Sequence, residues 1–217
     1  MKMKYAICFT GRIKTWENNL RGIIDTLEQS FGKENIDFFA SVHGEKNDQY
    51  VIDFLKLLRP VSSNVEKVER IHRDALWKEK MYSSLYHKWK AIQLVENQNV
   101  CYDWVFIFRC DFKKTNVIHL PDKFPIKNTV YVPMYENGTE YVWDRSKTPD
   151  HIDGGSLETM KVFSNFFLEV EDYINNGGVP ETILCEYITS KGLSMKEFYW
   201  WTELDVGRGG YETSFYD

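Results

Sequence analysis

The chain has 217 residues, 43% hydrophobic and 27% charged, with a net charge of -5: enough for one domain with a sizeable core, and without the basic footprint of a nucleic-acid binder. Cys8, Cys101, Cys110 and Cys185 show no CxxC spacing, so reduced thiols in a cytoplasmic protein are expected rather than disulfides or a zinc site. No signal peptide opens the chain and no apolar run has the length of a membrane span.

Tyr5 to Phe9 (YAICF) reads as a first buried strand, and Thr10, Gly11 and Arg12 as a tight turn after it. Gly11 lets a ligand approach the backbone, and Arg12 carries a fork that suits phosphate oxygens. Thr15 is placed to cap a helix whose apolar positions Trp16, Leu20, Ile23, Ile24, Leu27 and Phe31 run to Gly32. Neither a Rossmann glycine fingerprint nor a P-loop occurs.

Ile36 to Val42 (IDFFASV) predicts the second strand, ending in His43 and Gly44; His43 there is either a ligand contact or a structural histidine. Val51, Phe54, Leu55 and Leu58 mark a short helix stopped by Pro60, and Val65 to Ile71 a third, more exposed strand. The longest helical pattern runs from about Asp74 to Asn97, with Leu76, Tyr82, Leu85, Tyr86, Trp89, Ile92 and Val95 as its apolar stripe and Lys78, Lys80, Lys88 and Lys90 as its decoration. Tyr82, Ser83 and Tyr86, near its middle, either face a cleft or pack beneath the sheet. Strands alternating with helices predict a mostly parallel sheet covered on both faces.

The helix leads into Tyr102 to Phe112 (YDWVFIFRCDF), whose unbroken apolar run from Trp104 to Phe108 is that of a strand covered on both faces. It ends in Arg109, Cys110 and Asp111, which delivers charge to the carboxyl edge, where open α/β sheets bind ligands. Thr129 to Met134 (TVYVPM) reads as another strand. The segment from Tyr135 to Asp150, with Tyr135, Tyr141 and Trp143, is either a sugar-stacking loop or a surface hairpin. Asp150 to Met160 (DHIDGGSLETM) puts two carboxylates, Asp150 and Asp153, and His151 ahead of a Gly154-Gly155 turn and a helix capped by Ser156. Met160, Phe163, Phe167, Val170 and Ile174 form the stripe of that helix; Pro180 opens another that continues to Gly192, and a final strand and closing tail follow.

AICFTGR, DFFASVH, the tyrosine-bearing helix, YDWVFIFRCDF and VYVP together resemble a group of GT-A-fold glycosyltransferases from bacterial surface-polysaccharide clusters and large DNA viruses. The resemblance implies a single GT-A-like (Rossmann-like) domain over 1–217, with a mixed, mostly parallel sheet and helices on both faces. A nucleotide-sugar half would span about 1–112 and an acceptor half about 113–217. It further implies transfer of a sugar, as from a UDP-sugar, to a glycan or lipid-linked acceptor. The donor would be bound by Thr10, Gly11, Arg12, His43, Tyr82, Tyr86 and Arg109. Where that fold usually carries D-x-D, this chain has Arg109 and Asp111, so Asp111 alone is expected to hold a divalent cation, Mn²⁺ or Mg²⁺. Asp153, then Asp150 and Glu181, are the expected catalytic bases, Asp153 first because it precedes the glycine pair. The alternatives are a non-catalytic nucleotide- or carbohydrate-binding module and a metal-dependent phosphohydrolase or nucleotidyltransferase.

Overall fold

The computed structural model describes residues 2–13, 16–68, 76–110, 112–115, 117–120, 122–134, 152–174, 180–199 and 202–204, some of them, Glu181 among these, by backbone alone. In chain order the elements are β1 (Tyr5–Arg12), α1 (Leu20–Phe31), β2 (Ile36–His43), α2 (Gln49–Leu58), β3 (Ser62–Val65), α3 (Leu76–Glu96) and β4 (Trp104–Arg109). There follow β5 (Phe112–Thr115), β6 (Thr129–Met134), β7 (Ile152–Gly155), α4 (Leu157–Ser164), α5 (Phe166–Ile174), α6 (Pro180–Ser190), β8 (Ser194–Tyr199) and β9 (Thr202–Leu204).

Seven strands form one sheet in the order β3-β2-β1-β4-β7-β6-β8, and β5 pairs with β9 in a small antiparallel sheet. Only β7 runs against its neighbours; the other pairings in the large sheet are parallel. This is the expected mixed, mostly parallel sheet with helices on both faces. One apolar layer joins Ile7, Phe9, Phe106 and Phe108 to α1 and α2 on one face, and a second joins Cys8, Phe39, Val105 and Ile107 to α3, α4, α5 and α6 on the other. The alternation of strand side chains feeds both layers at once, which is why the strand sequences read as unbroken apolar runs.

Much of the aromatic excess is core. Tyr5 stacks on Phe31 at 4.4 Å between centroids, Phe31 on Phe106 at 5.7 Å, Phe106 on Trp104 at 5.3 Å and Phe9 on Phe108 at 5.6 Å. Helix ends follow local chemistry. The Asp48 carboxylate caps α2 by accepting from the Tyr50 N–H at 2.9 Å, and Ser156 caps α4 by accepting from the Thr159 N–H at 3.2 Å.

Five local expectations are corrected. β1 runs on through Thr10, Gly11 and Arg12 instead of turning, because each residue to Arg12 stays in register with β2. α1 begins at Leu20, after a short 3-10 turn at Trp16–Asn18; Thr15 lies outside the described residues. The third strand is Ser62–Val65, since it is there that β3 pairs with β2 from Phe39 to Val42. The helix expected from Ser156 to Ile174 is two, separated at Asn165. Gly154 and Gly155 form no turn: they belong to β7, wedged between β4 and β6, where a Cβ on Gly154 would stand 2.5 Å from the Phe106 ring. The glycine pair serves close strand packing.

Candidate functional site

Parallel register sets Thr10 beside Arg109, Gly11 beside Val42 and Arg12 beside His43. Thr10, Gly11, Arg12, His43 and Arg109, far apart in sequence, therefore arrive at one carboxyl edge on three adjacent strands. Arg12 is exposed there, and Gly11, His43 and Arg109 are half-buried. Gly11 has φ 93°, a conformation that disfavours any side chain, and no atom lies within 4 Å of where a Cβ would stand. Thr10 is buried: its hydroxyl donates to the Phe108 carbonyl at 3.1 Å, while its own carbonyl accepts from the Cys110 N–H at 3.0 Å. These two bonds lock the ends of β1 and β4 together, so Thr10 shapes the edge from within.

Beneath the edge on one face lies α3, and here the helix buries more polarity than its sequence advertised. Met81, Leu85, Lys88, Ile92 and Val95 follow at heptad-like spacing and are all buried. Lys88, expected on the surface, occupies a core position at 1% exposure. Its ammonium meets Asp153 Oδ2 at 2.7 Å and lies over the Phe163 ring at 5.5 Å from the centroid. Asp153 is itself 0% exposed, in register with Ile107 of β4. The spacing 81-85-88-92-95 was the available signal for Lys88, since a lysine in a continuous apolar stripe requires an anionic partner.

His87, the residue before it, is also fully buried. Its Nδ1 lies 3.0 Å from the Ser41 hydroxyl oxygen, and its ring meets that of His43 edge-on at 6.0 Å. Burial, and then the neighbouring His43, push the His87 pKa down to about 3, so this imidazole is neutral at ordinary pH. Tyr86 donates its hydroxyl to the Glu66 carboxylate, and burial followed by that bond pushes its pKa up. Tyr82 and Tyr86 are half-buried, and both rings pack on Phe167 of α5, at 5.0 and 5.3 Å.

Asp111, Asp150, His151, Tyr135, Tyr141 and Trp143 lie outside the described residues. Glu181 is the second residue of α6, and its side chain is not described. Among the described residues no three His, Cys, Asp or Glu side chains converge as a cation site. Glu66 is engaged by Tyr86, Asp153 by Lys88, and Glu45 pairs with Lys67 at 3.9 Å. The described side chains of the edge thus fit an anion, and the expected cation rests on Asp111 alone.

No protein-family model matches the chain, and no curated protein matches it. Among solved structures it is similar to the galactosyltransferase LgtC in complex with donor and acceptor sugar analogues, at 11% identity and a TM-score of 0.47 over 88% of this chain and 72% of that one. It is similar to the apo form of glycosyltransferase GlyE from Streptococcus pneumoniae TIGR4, at 10% identity and a TM-score of 0.48 over 90% of this chain and 45% of that one. A cytidylyltransferase from Leptospira borgpetersenii serovar Hardjo-bovis is similar at 12% identity, with a TM-score of 0.46, over 95% of this chain and 79% of that one.

Proposed function

We propose that the chain is a glycosyltransferase that takes a sugar from a nucleotide-diphosphate donor and transfers it to a glycan or lipid-linked acceptor. The observation that carries this reading is the register that gathers Arg12, His43 and Arg109 around the open backbone of Gly11. Guanidinium groups present forked donors to phosphate oxygens, and an imidazole adds a further donor. When the bond between sugar and phosphate breaks, negative charge grows on the leaving diphosphate, and fixed positive groups at this edge stabilise it without reorganising. A divalent cation, if Asp111 holds one, would add Lewis-acid stabilisation of the same oxygens.

Deprotonating the acceptor hydroxyl needs a carboxylate that the acceptor reaches. Asp153 is fully buried and already bound to Lys88, so it holds charge rather than meeting an acceptor. The proposed base is therefore Asp150 or Glu181.

Incubation of the pure protein with a panel of UDP-, GDP- and dTDP-sugars, with Mn²⁺ and with a chelator in its place, tests the reading. Slow release of free nucleoside diphosphate from one donor supports transfer. Binding without turnover supports the non-catalytic module, and release of a monophosphate or pyrophosphate supports a phosphohydrolase or nucleotidyltransferase. Loss of release with the chelator supports a divalent cation in the reaction.

A further inference from the structure

Two consecutive residues of α3 reach the same residue of β2 by different routes. Neighbours on a helix point about 100° apart, and the Tyr86 and His87 rings still meet edge-on at 5.3 Å between centroids. His87 acts on the ring: it is bonded to Ser41, and Ser41 shares a strand face with His43 two residues on. The edge of one imidazole then meets the other at 82° between planes.

Tyr86 acts on the backbone around His43. The Glu66 N–H donates to the Val42 carbonyl at 3.1 Å, and the Gly44 N–H donates to the Glu66 carbonyl at 3.4 Å. Both neighbours of His43 are therefore tied to Glu66, just past β3. The Glu66 carboxylate accepts from the Tyr86 hydroxyl, so the helix holds the residue that holds the strand end.

We propose that Tyr86 and His87 are positioning residues for His43, fixing its backbone and its ring at the carboxyl edge beside Arg12 so that it meets the donor's diphosphate. The proposal rests on the donor reading above, and it gives Tyr86 an indirect part in binding. A contact to phosphate is useful only when its donor atom is already in place, and a half-buried imidazole at the last residue of a strand has no regular structure beyond it to hold it.

The test uses the full chain with ¹⁵N-labelled histidine, as wild type, Tyr86→Phe, His87→Phe, His43→Ala and Tyr86→Phe/His43→Ala. In the free protein, the ring signals of His43 are expected to move in both single α3 variants; Tyr86→Phe removes one hydroxyl and keeps the ring, so it reports even if His87→Phe does not fold. In calorimetry with UDP, GDP and dTDP, Tyr86→Phe is expected to weaken the best diphosphate by about fivefold, the size of one ordinary hydrogen bond, and to leave the matching nucleoside unchanged. The double variant is expected to bind no more weakly than His43→Ala alone. Unmoved His43 ring signals in Tyr86→Phe, or losses that multiply in the double variant, overturn the proposal. If wild type binds no nucleoside diphosphate, the donor reading fails, and the ring signals of the free protein still decide whether Tyr86 and His87 position His43.

Discussion

Lys88 on α3 places its ammonium 2.7 Å from Asp153 Oδ2 on β7, with side-chain exposures of 2% and 0%. Two charges withdrawn from water in this way depend on each other, and the pair joins the helix before β4 to the strand that lies beside it in the sheet.

Removing either partner strands the other charge. Lys88→Met and Asp153→Asn are each expected to lose roughly 3–5 kcal/mol of stability, whereas Lys88→Met/Asp153→Leu should recover most of it. Urea denaturation of the three variants measures this. An Asp153→Asn protein with wild-type stability and no turnover would instead restore Asp153 as the catalytic base.

His87 makes folding sensitive to acid. Its folded pKa lies below the unfolded value of 6.5, so as pH falls through 6.5 toward about 3 the unfolded chain takes a proton that the folded chain refuses. Stability is therefore expected to fall by up to about 1.4 kcal/mol per pH unit inside that window from this residue alone, with the effect fading about one unit above pH 6.5. Denaturation midpoints at pH 7, 6 and 5 should show the slope in wild type and a shallower one in His87→Asn. Equal slopes in the two proteins would contradict the assignment.

Gly154 has no room for a methyl group, with the Phe106 ring 2.5 Å from the Cβ position. Gly154→Ala is expected to cost about 1–3 kcal/mol through displaced packing between β4 and β7. Gly11→Ala meets no atom, and its cost comes from the backbone φ alone. Thermal melts of both variants check this; an unaltered Gly154→Ala protein would show that the two strands separate more easily than their packing implies.

Arg12 ends β1 exposed and beside His43. As a phosphate contact, Arg12→Ala is expected to lose about 1.5–3 kcal/mol in binding the preferred nucleoside diphosphate and almost nothing in binding the matching nucleoside. Isothermal titration of the pair separates the cases, and equal losses for both ligands would indicate a disturbed strand end instead.

The strands were legible where burial on both faces leaves an apolar run, as in Trp104–Phe108 and Thr129–Met134. β7 was not, because Ile-Asp-Gly-Gly carries its meaning in its neighbours: the glycines accommodate Phe106, and the aspartate answers Lys88. Neither partner is near in sequence, so local turn chemistry pointed the wrong way. Of the expected donor contacts, Arg12, His43 and Arg109 were identifiable as polar residues at the ends of apolar runs, and the parallel register converts that pattern into proximity. Lys88 read as surface decoration because lysine is rarely buried, whereas the face of α3 that carries it and His87 packs inward.

The proposed function requires a nucleoside diphosphate to bind at the carboxyl edge of β1, β2 and β4. Backbone amide spectra of the ¹⁵N-labelled chain, titrated with UDP, GDP and dTDP, locate the ligand directly. The largest shifts are expected at Gly11, Arg12, His43, Gly44, Arg109 and Cys110, and they should be absent when the nucleoside replaces the diphosphate. Saturable shifts centred elsewhere, or none with any of the three diphosphates, would contradict the placement of the donor site.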